Sequence, residues 1–228
     1  SITHTNLFLF PMKLALDAMG GDNAPKAIIE GAYLALEEMD DIQITLIGNE
    51  EAIMPFYHEH PRLALKFTTE VIEMAESPVR AIQKKKDSSI VVGMNMVKNK
   101  EADAFVTAGS TGAAIAGGTL LIRRIKGIQR PALAPMLPTR TGGQLLLIDC
   151  GANVDCKSSF LKQFGIMGSI YMERVMGIKN PRVCLINNGV LQQYDAPLTV
   201  YGQPNNLFVA DFVGNPSINF VEAKGVQK

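Results

Sequence analysis

Five short stretches of this 228-residue chain carry side chains and turns suited to handling an oxyanion. In Leu14–Pro25 an apolar run ends in Asp17, turns on Gly20 and Gly21, and passes Asp22 into a helix. Paired glycines reach φ > 0 and carry no Cβ, so their backbone N–H groups can approach an anion closely. The helix that follows adds the positive end of its dipole. The spacing is that of neither a Walker A loop nor a GxGxxG fingerprint. A strand–helix corner with no ligand is the plain alternative.

A second turn of the same kind follows Asp103–Thr107, where Gly109, Ser110, Thr111 and Gly112 open a small-residue helix through Leu121. The hydroxyls of Ser110 and Thr111 suit either an anion or an ordinary N-cap. A third strand end, Leu145–Ile148, runs into Asp149, Gly151, Asn153 and Asp155, a loop rich in carboxylate and amide; either acid could serve as a cap. Arg130, ahead of Pro131 and Pro135, presents a cation on a segment that prolines hold extended. Lys84–Lys86 adds charge, with Lys85 the candidate to reach a ligand and a solvated helix face the alternative. In an open parallel sheet such turns gather at the carboxyl edge, where ligands bind.

The elements that must position these turns alternate. Strands are expected at Lys13–Ala18, Ile42–Ile47, Leu63–Phe67, Asp103–Thr107, Leu133–Leu137, Leu145–Ile148 and Val183–Ile186. Helices are expected at Ala24–Met39, weakly at Glu50–Tyr57, opening at Ser77-Pro78, then, after Lys84–Ser89, as a Met/Val-rich helix through Lys98, and at Ser158–Met176. Regular βα alternation implies a mostly parallel sheet with helices on both faces. Residues 1–11 read as an extension outside the fold, 12–189 as the α/β domain, and 190–228 as an irregular segment without periodicity.

Composition excludes several classes. Charge is balanced at 22 basic and 22 acidic residues, with a pI near 6.8, so there is no basic footprint for nucleic acid. No apolar run reaches the ~20 residues of a spanning helix. The three cysteines form no CxxC, and Cys150 and Cys184, in apolar runs, are expected as buried reduced thiols. His58 and His60 diverge on a helix and lack further ligands, so no metal is expected. No GxSxG occurs, and no His lies near a Cys.

In order and spacing, Asp17–Asp22, Ala108–Ala113, Gly127–Leu133 and Asp149–Asp155 resemble the bacterial acyl-acyl-carrier-protein:phosphate acyltransferases of phospholipid synthesis (the PlsX family). Gln163–Ser169 and Asn180–Asn188 are similar too. The resemblance implies a three-layer α/β/α sandwich akin to the isocitrate and isopropylmalate dehydrogenases, a homodimer, and a cytoplasmic location, with a place at the membrane periphery as the alternative. It implies transfer of a long-chain acyl group from acyl-carrier protein to inorganic phosphate, without cofactor. The acyl phosphate product would pass to a membrane glycerol-phosphate acyltransferase. On this reading Lys85, Arg130, Asp149 and Asn153 are the catalytic candidates. Asp17, Gly20, Gly21, Asp22, Ser110, Thr111, Gly112, Gly151 and Asp155 would bind phosphate or substrate.

The chain departs from the family at Ser110, often Asn, and Gln83, usually Arg. A later Asp-Gly-Phe-Thr-Gly-Asn loop and a helical hairpin of the family are not found, so a truncated or frame-disrupted form is expected. Uncovered apolar surface is then expected on Ile115–Ile125 and Phe164–Met176, with a soluble dimer of little membrane affinity. The alternatives are a non-catalytic homologue that binds phosphate or acyl-carrier protein, and a phosphotransacetylase-like enzyme using acyl-coenzyme A. A metal-dependent hydroxyacid dehydrogenase of the same fold would need a nicotinamide fingerprint that is absent.

Overall fold

A computed structural model describes residues 11–187 and 190–213. The chain divides into two compact units, Ser1–Arg124 and Ile125–Lys228, a boundary inside the span read from sequence as one domain.

In the first unit, β1 (Met12–Asp17), β2 (Ile42–Gly48), β3 (Leu63–Phe67) and β4 (Ala104–Val106) form an all-parallel sheet in the order β3-β2-β1-β4. The order follows from register: Leu16 pairs Leu46 on one side and Val106 on the other, so β1 and β4 end side by side. Helices α1 (Lys26–Glu38), α2 (Glu50–Ile53), α3 (Pro78–Lys84), α4 (Ser89–Lys98) and α5 (Thr111–Gly117) connect the strands. The chain is thus α/β, its parallel sheet flanked by helices as in a three-layer sandwich.

Two apolar layers hold the sheet. Ile29, Ala32 and Leu36 lie on one stripe of α1 and pack on Ile44, Leu46 and Leu63. Ala15 and Ile47 meet Met96 of α4 as part of another cluster. Alternate residues of β1 and β2 therefore serve opposite faces, as the strand period requires. His58 and His60 work in this packing: the His58 ring stacks on Tyr33 with centroids 3.8 Å apart, and Nδ1 of His60 accepts the Arg62 N–H at 3.2 Å.

The second unit is built differently. β5 (Met136–Pro138) pairs antiparallel with β6 (Gln144–Leu146), and β7 (Val183–Asn187) antiparallel with β8 (Val190–Asp195). The helices are α6 (Ser158–Arg174), α7 (Pro197–Gly202) and α8 (Leu207–Val213). Parallel pairing thus does not extend past β4 among the described residues. The reading of 190–228 as irregular is corrected over its described part, 190–213, where β8, α7 and α8 occupy most of the segment. Its polar Gln192-Gln193 pair hid the strand: Gln193 is buried because its amide binds Gln203 O at 3.1 Å and the Asn205 N–H at 3.0 Å.

The cysteine expectation is also corrected, since Cys150 and Cys184 are both exposed. Cys150 lies in a loop beyond β6, and Cys184 on a two-stranded ribbon. Apolar surface is uncovered where the helices were expected to show it: Ile125 is 80% and Ile170 55% exposed.

Candidate functional site

β1 and β4 are neighbours, so both glycine turns leave the same carboxyl edge of the sheet. They touch. A Cβ on Gly20 would fall 2.5 Å from Gly109 N, 2.7 Å from Asp17 Oδ2 and 2.9 Å from Thr107 Oγ1, which only glycine avoids. Gly21 has φ +100°, a left-handed conformation that favours glycine, and a Cβ there would lie 3.2 Å from Ala108 Cβ.

Asp17 ties the two turns together. Its carboxylate is 1% exposed; Oδ2 accepts from Thr107 Oγ1 at 2.6 Å and Oδ1 from the Met19 N–H at 3.0 Å. Thr107 Oγ1 in turn accepts the Gly109 N–H at 2.9 Å. The chemistry here is internal: this acid is occupied in shaping the turns. Ser110 likewise spends its hydroxyl as N-cap of α5, accepting the Ala113 N–H at 3.3 Å while 4% exposed. Thr111 is exposed on the first helical turn, and Asp22 is exposed beside Gly21. Gly112 lies against α3, where a Cβ would come 2.7 Å from Pro78 Cγ. First-turn amides of a helix have no intrahelical acceptor, which leaves the N–H groups of Thr111 and Gly112 for an outside oxygen.

Lys85 is engaged rather than free. Its Nζ pairs with Glu76 Oε1 and donates to Val71 O at 2.6 Å. The Glu73 N–H donates to the same Glu76 oxygen at 2.8 Å. That backbone bond, with the Lys85 side-chain bond second, lowers the Glu76 carboxyl pKa. Lys85 therefore straps the loop that leads into Ser77-Pro78 and α3, beside Gly112.

A separate cluster lies in the second unit, centred on Asp149. Its Oδ1 accepts from the N–H groups of Leu133 (2.7 Å) and Ala152 (3.2 Å). Oδ2 accepts from the backbone and side-chain N–H of Asn153, at 2.8 and 2.9 Å. Burial alone would raise this carboxyl; the four hydrogen bonds outweigh it and hold the pKa below the ordinary value of 3.8. Asn153 Nδ2 also donates to Pro131 O at 2.9 Å, so the Arg130–Leu133 segment and the Asp149–Asp155 loop form one body. Gly151 turns this loop at φ +103°.

Arg130 is exposed, its guanidinium 5.7 Å over the Phe160 ring, and Asp155 is exposed nearby in sequence. Burial, then the charges of Asp149 and Asp155, push the Cys156 thiol up, which disfavours a thiolate nucleophile. Tyr201, pushed up to about 12 by burial, keeps its proton. Sequence reasoning placed Thr107 at a strand end and Gln163 in a stretch similar to the family but gave neither a role in the site. Gln163 accepts the Gln129 N–H at 2.8 Å and donates to Gly127 O at 3.0 Å, clamping the Arg130 segment on α6. A hydroxyl or amide that bonds far along the chain leaves no local signal.

The expected site residues thus fall into two assemblies: Asp17–Asp22 with Gly109–Gly112, and Arg130 with Asp149–Asp155. Among the described residues no group of three His, Cys, Asp or Glu is placed to hold a metal ion. None of the described helices is long and apolar enough to cross a membrane. A parallel α/β sheet with two glycine turns in contact at its carboxyl edge defines an open-sheet α/β protein, whose class binds ligands at that edge.

The chain belongs to the family described as fatty acid synthesis protein, which matches residues 12–200. It is 53% identical over 178 residues to the phosphate acyltransferase of Bacillus licheniformis, covering 78% of this chain and 54% of that relative. It is 51% identical over 182 residues to the phosphate acyltransferase of Caldanaerobacter subterraneus, covering 80% and 54%. A third, from Bacillus cereus, is 49% identical over 178 residues, covering 78% and 54%. The chain spans about half the length of these curated relatives.

Proposed function

We propose that the protein acts as a phosphate acyltransferase of lipid synthesis, moving a long-chain acyl group from acyl-carrier protein to inorganic phosphate. The observation that carries this reading is the contact of the Gly20-Gly21 turn with Gly109 at the carboxyl edge of β1 and β4. The relatives' name agrees with it. A phosphate oxygen attacks the thioester carbonyl, a tetrahedral oxyanion forms and collapses, and the carrier thiolate leaves and takes a proton. The products are acyl phosphate and carrier thiol. Phosphate is its own nucleophile, so the protein's task is orientation and charge stabilisation. Gly20, Gly21, Thr111 and Gly112 would cradle phosphate through N–H groups and the Thr111 hydroxyl. In the second unit Arg130 is the candidate cation of the cluster that holds Asp149 and Asn153. Asp17, Ser110, Lys85, Asp149 and Asn153 would hold the loops, with Gly151, Asp22 and Asp155 shaping their rims.

The test is incubation of purified protein with palmitoyl-acyl-carrier protein and phosphate, trapping acyl phosphate as hydroxamate. Phosphate-dependent product is expected, and Thr111→Ala should raise the KM for phosphate more than it lowers stability. Absence of product from folded protein overturns the reading. Phosphate binding by calorimetry without turnover would then assign a binding role, and preference for acyl-coenzyme A a phosphotransacetylase-like one. A cytoplasmic homodimer that passes its product to a membrane glycerol-phosphate acyltransferase completes the proposal. Light scattering that gives a monomer at micromolar concentration would remove the dimer from it.

A further inference from the structure

The second unit contains a groove of about 640 Å³, and its walls show what it is shaped to take. One wall is Gln144–Ile148 and another is Val183–Ile186, each lining the groove with consecutive residues. Side chains alternate across a strand, so a groove that meets every residue in turn runs along the strand's edge, not over a face. The floor is one stripe of α6, Leu161, Phe164, Gly165, Gly168 and Met172, at helical spacing.

Both bordering edges are open. β6 pairs only with β5 and β7 only with β8 among the described residues. On β6, Leu145 faces its partner Leu137, and Leu147 N–H donates to Pro135 O at 3.1 Å. By strand alternation the main-chain groups of Gln144 and Leu146 point the other way, to the open edge. Leu145, Leu147 and Ile186 nonetheless leave large apolar surface exposed here. Two open ladders over an apolar helical floor make the seat of a missing strand.

We infer that this groove accepts an extended apolar peptide strand, drawn from the part of the family's chain that these 228 residues do not span. The matched relatives are nearly twice as long as the region they share with this chain, so such further chain exists in the family. An alkyl chain would fill the same apolar volume, but it would strip water from the open N–H and C=O groups without replacing their hydrogen bonds. A peptide strand pairs with both edges while its side chains cover the α6 stripe, the mode of strand addition at a sheet edge. The four- and five-residue walls, about 13–17 Å long at strand rise, match a strand of ordinary length.

The experiment uses overlapping synthetic peptides from the Bacillus licheniformis phosphate acyltransferase outside its 178 matched residues. Binding is read by fluorescence anisotropy, and hydrogen exchange is followed at Gln144, Leu146 and Val183–Ile186. At least one apolar peptide should bind and slow exchange on both edges by about tenfold or more. The same peptide N-methylated along its backbone should bind the unaltered protein at least about tenfold more weakly. Gly168→Leu should block binding and Gly168→Ala permit it, because a Cβ at Gly168 lies 3.5 Å from Ile148 Cγ2 and Leu146 Cδ2, an ordinary contact. The inference is overturned if no peptide protects both edges, or if N-methylation leaves binding unchanged. It is also overturned if palmitate, and no peptide, occupies the groove. None of these outcomes bears on phosphate-dependent acyl transfer, which is assayed separately.

Discussion

Thr107→Val tests the claim that a buried carboxylate holds the two glycine turns together. Thr107 Oγ1 donates to Asp17 Oδ2 at 2.6 Å and accepts from Gly109 N–H at 2.9 Å. Valine keeps the branched shape and removes both bonds. A hydrogen bond to a charged group contributes about 1.5–3 kcal/mol and a neutral one about 0.5–1.5. Asp17, at 1% exposure, is too buried for bulk solvent to replace the lost donor. The expected loss is about 2–4 kcal/mol, the two terms together with a small offset from the added methyl. Thr107→Ser retains the hydroxyl and loses one methyl, costing about 0.8 kcal/mol. In urea unfolding, with a slope of about 2 kcal/mol/M, Thr107→Val should lower the midpoint by about 1–2 M. Asp17→Asn and Thr107→Val together should cost at least about 1 kcal/mol less than the sum of the two alone. The reasoning fails if Thr107→Val stays within about 0.5 kcal/mol of the parent, or if Thr107→Ser is equally damaging.

Three further outcomes are expected. Asn153→Ala removes the side-chain bond donated to Asp149, so the Asp149 carboxyl should titrate closer to 3.8 by carbon-13 NMR. Because the parent's value is depressed, its added stability is present above about pH 4 and is lost as pH falls through the folded pKa. The gap between parent and variant should shrink below that point; a gap that widens in acid would contradict the assignment. Lys85→Met should let the Glu76 carboxyl rise toward 4.5 and speed amide exchange in the Val71–Glu76 loop; unchanged exchange would mean that Lys85 does not hold this loop. Gly20→Ala should cost about 1–3 kcal/mol from overpacking, read as a lower thermal midpoint, because the nearest atoms are the Gly109 backbone and the Asp17–Thr107 pair.

The elements of the first unit are legible because their signals are local. β1, β2 and β3 sit within a residue or so of the apolar runs that foretold them, and the motif Gly20-Gly21 turns where glycine alone fits. Motif order and spacing also pointed to the family, since both survive without coordinates. Pairing is a different matter. Leu133–Leu137 and Leu145–Ile148 read as strands of a mostly parallel sheet, yet Met136–Pro138 and Gln144–Leu146 close across a short connection as an antiparallel hairpin. β8 gave no apolar alternation, and only its ladder with β7 and the bonds on Gln193 make it a strand.

The same division runs through the candidate site. Residue type alone marks Asp17 and Ser110 as polar groups beside glycine turns and Lys85 as a cation in a basic run. Their partners Thr107, Ala113 N–H and Glu76 lie 90, 3 and 9 residues away, and only the local cap could be anticipated from spacing. A hydrogen bond spends a donor and an acceptor wherever the fold brings them together. Whether a polar side chain is occupied or available is thus settled by tertiary neighbours, while the glycine turns that set the backbone's reach are written in the sequence.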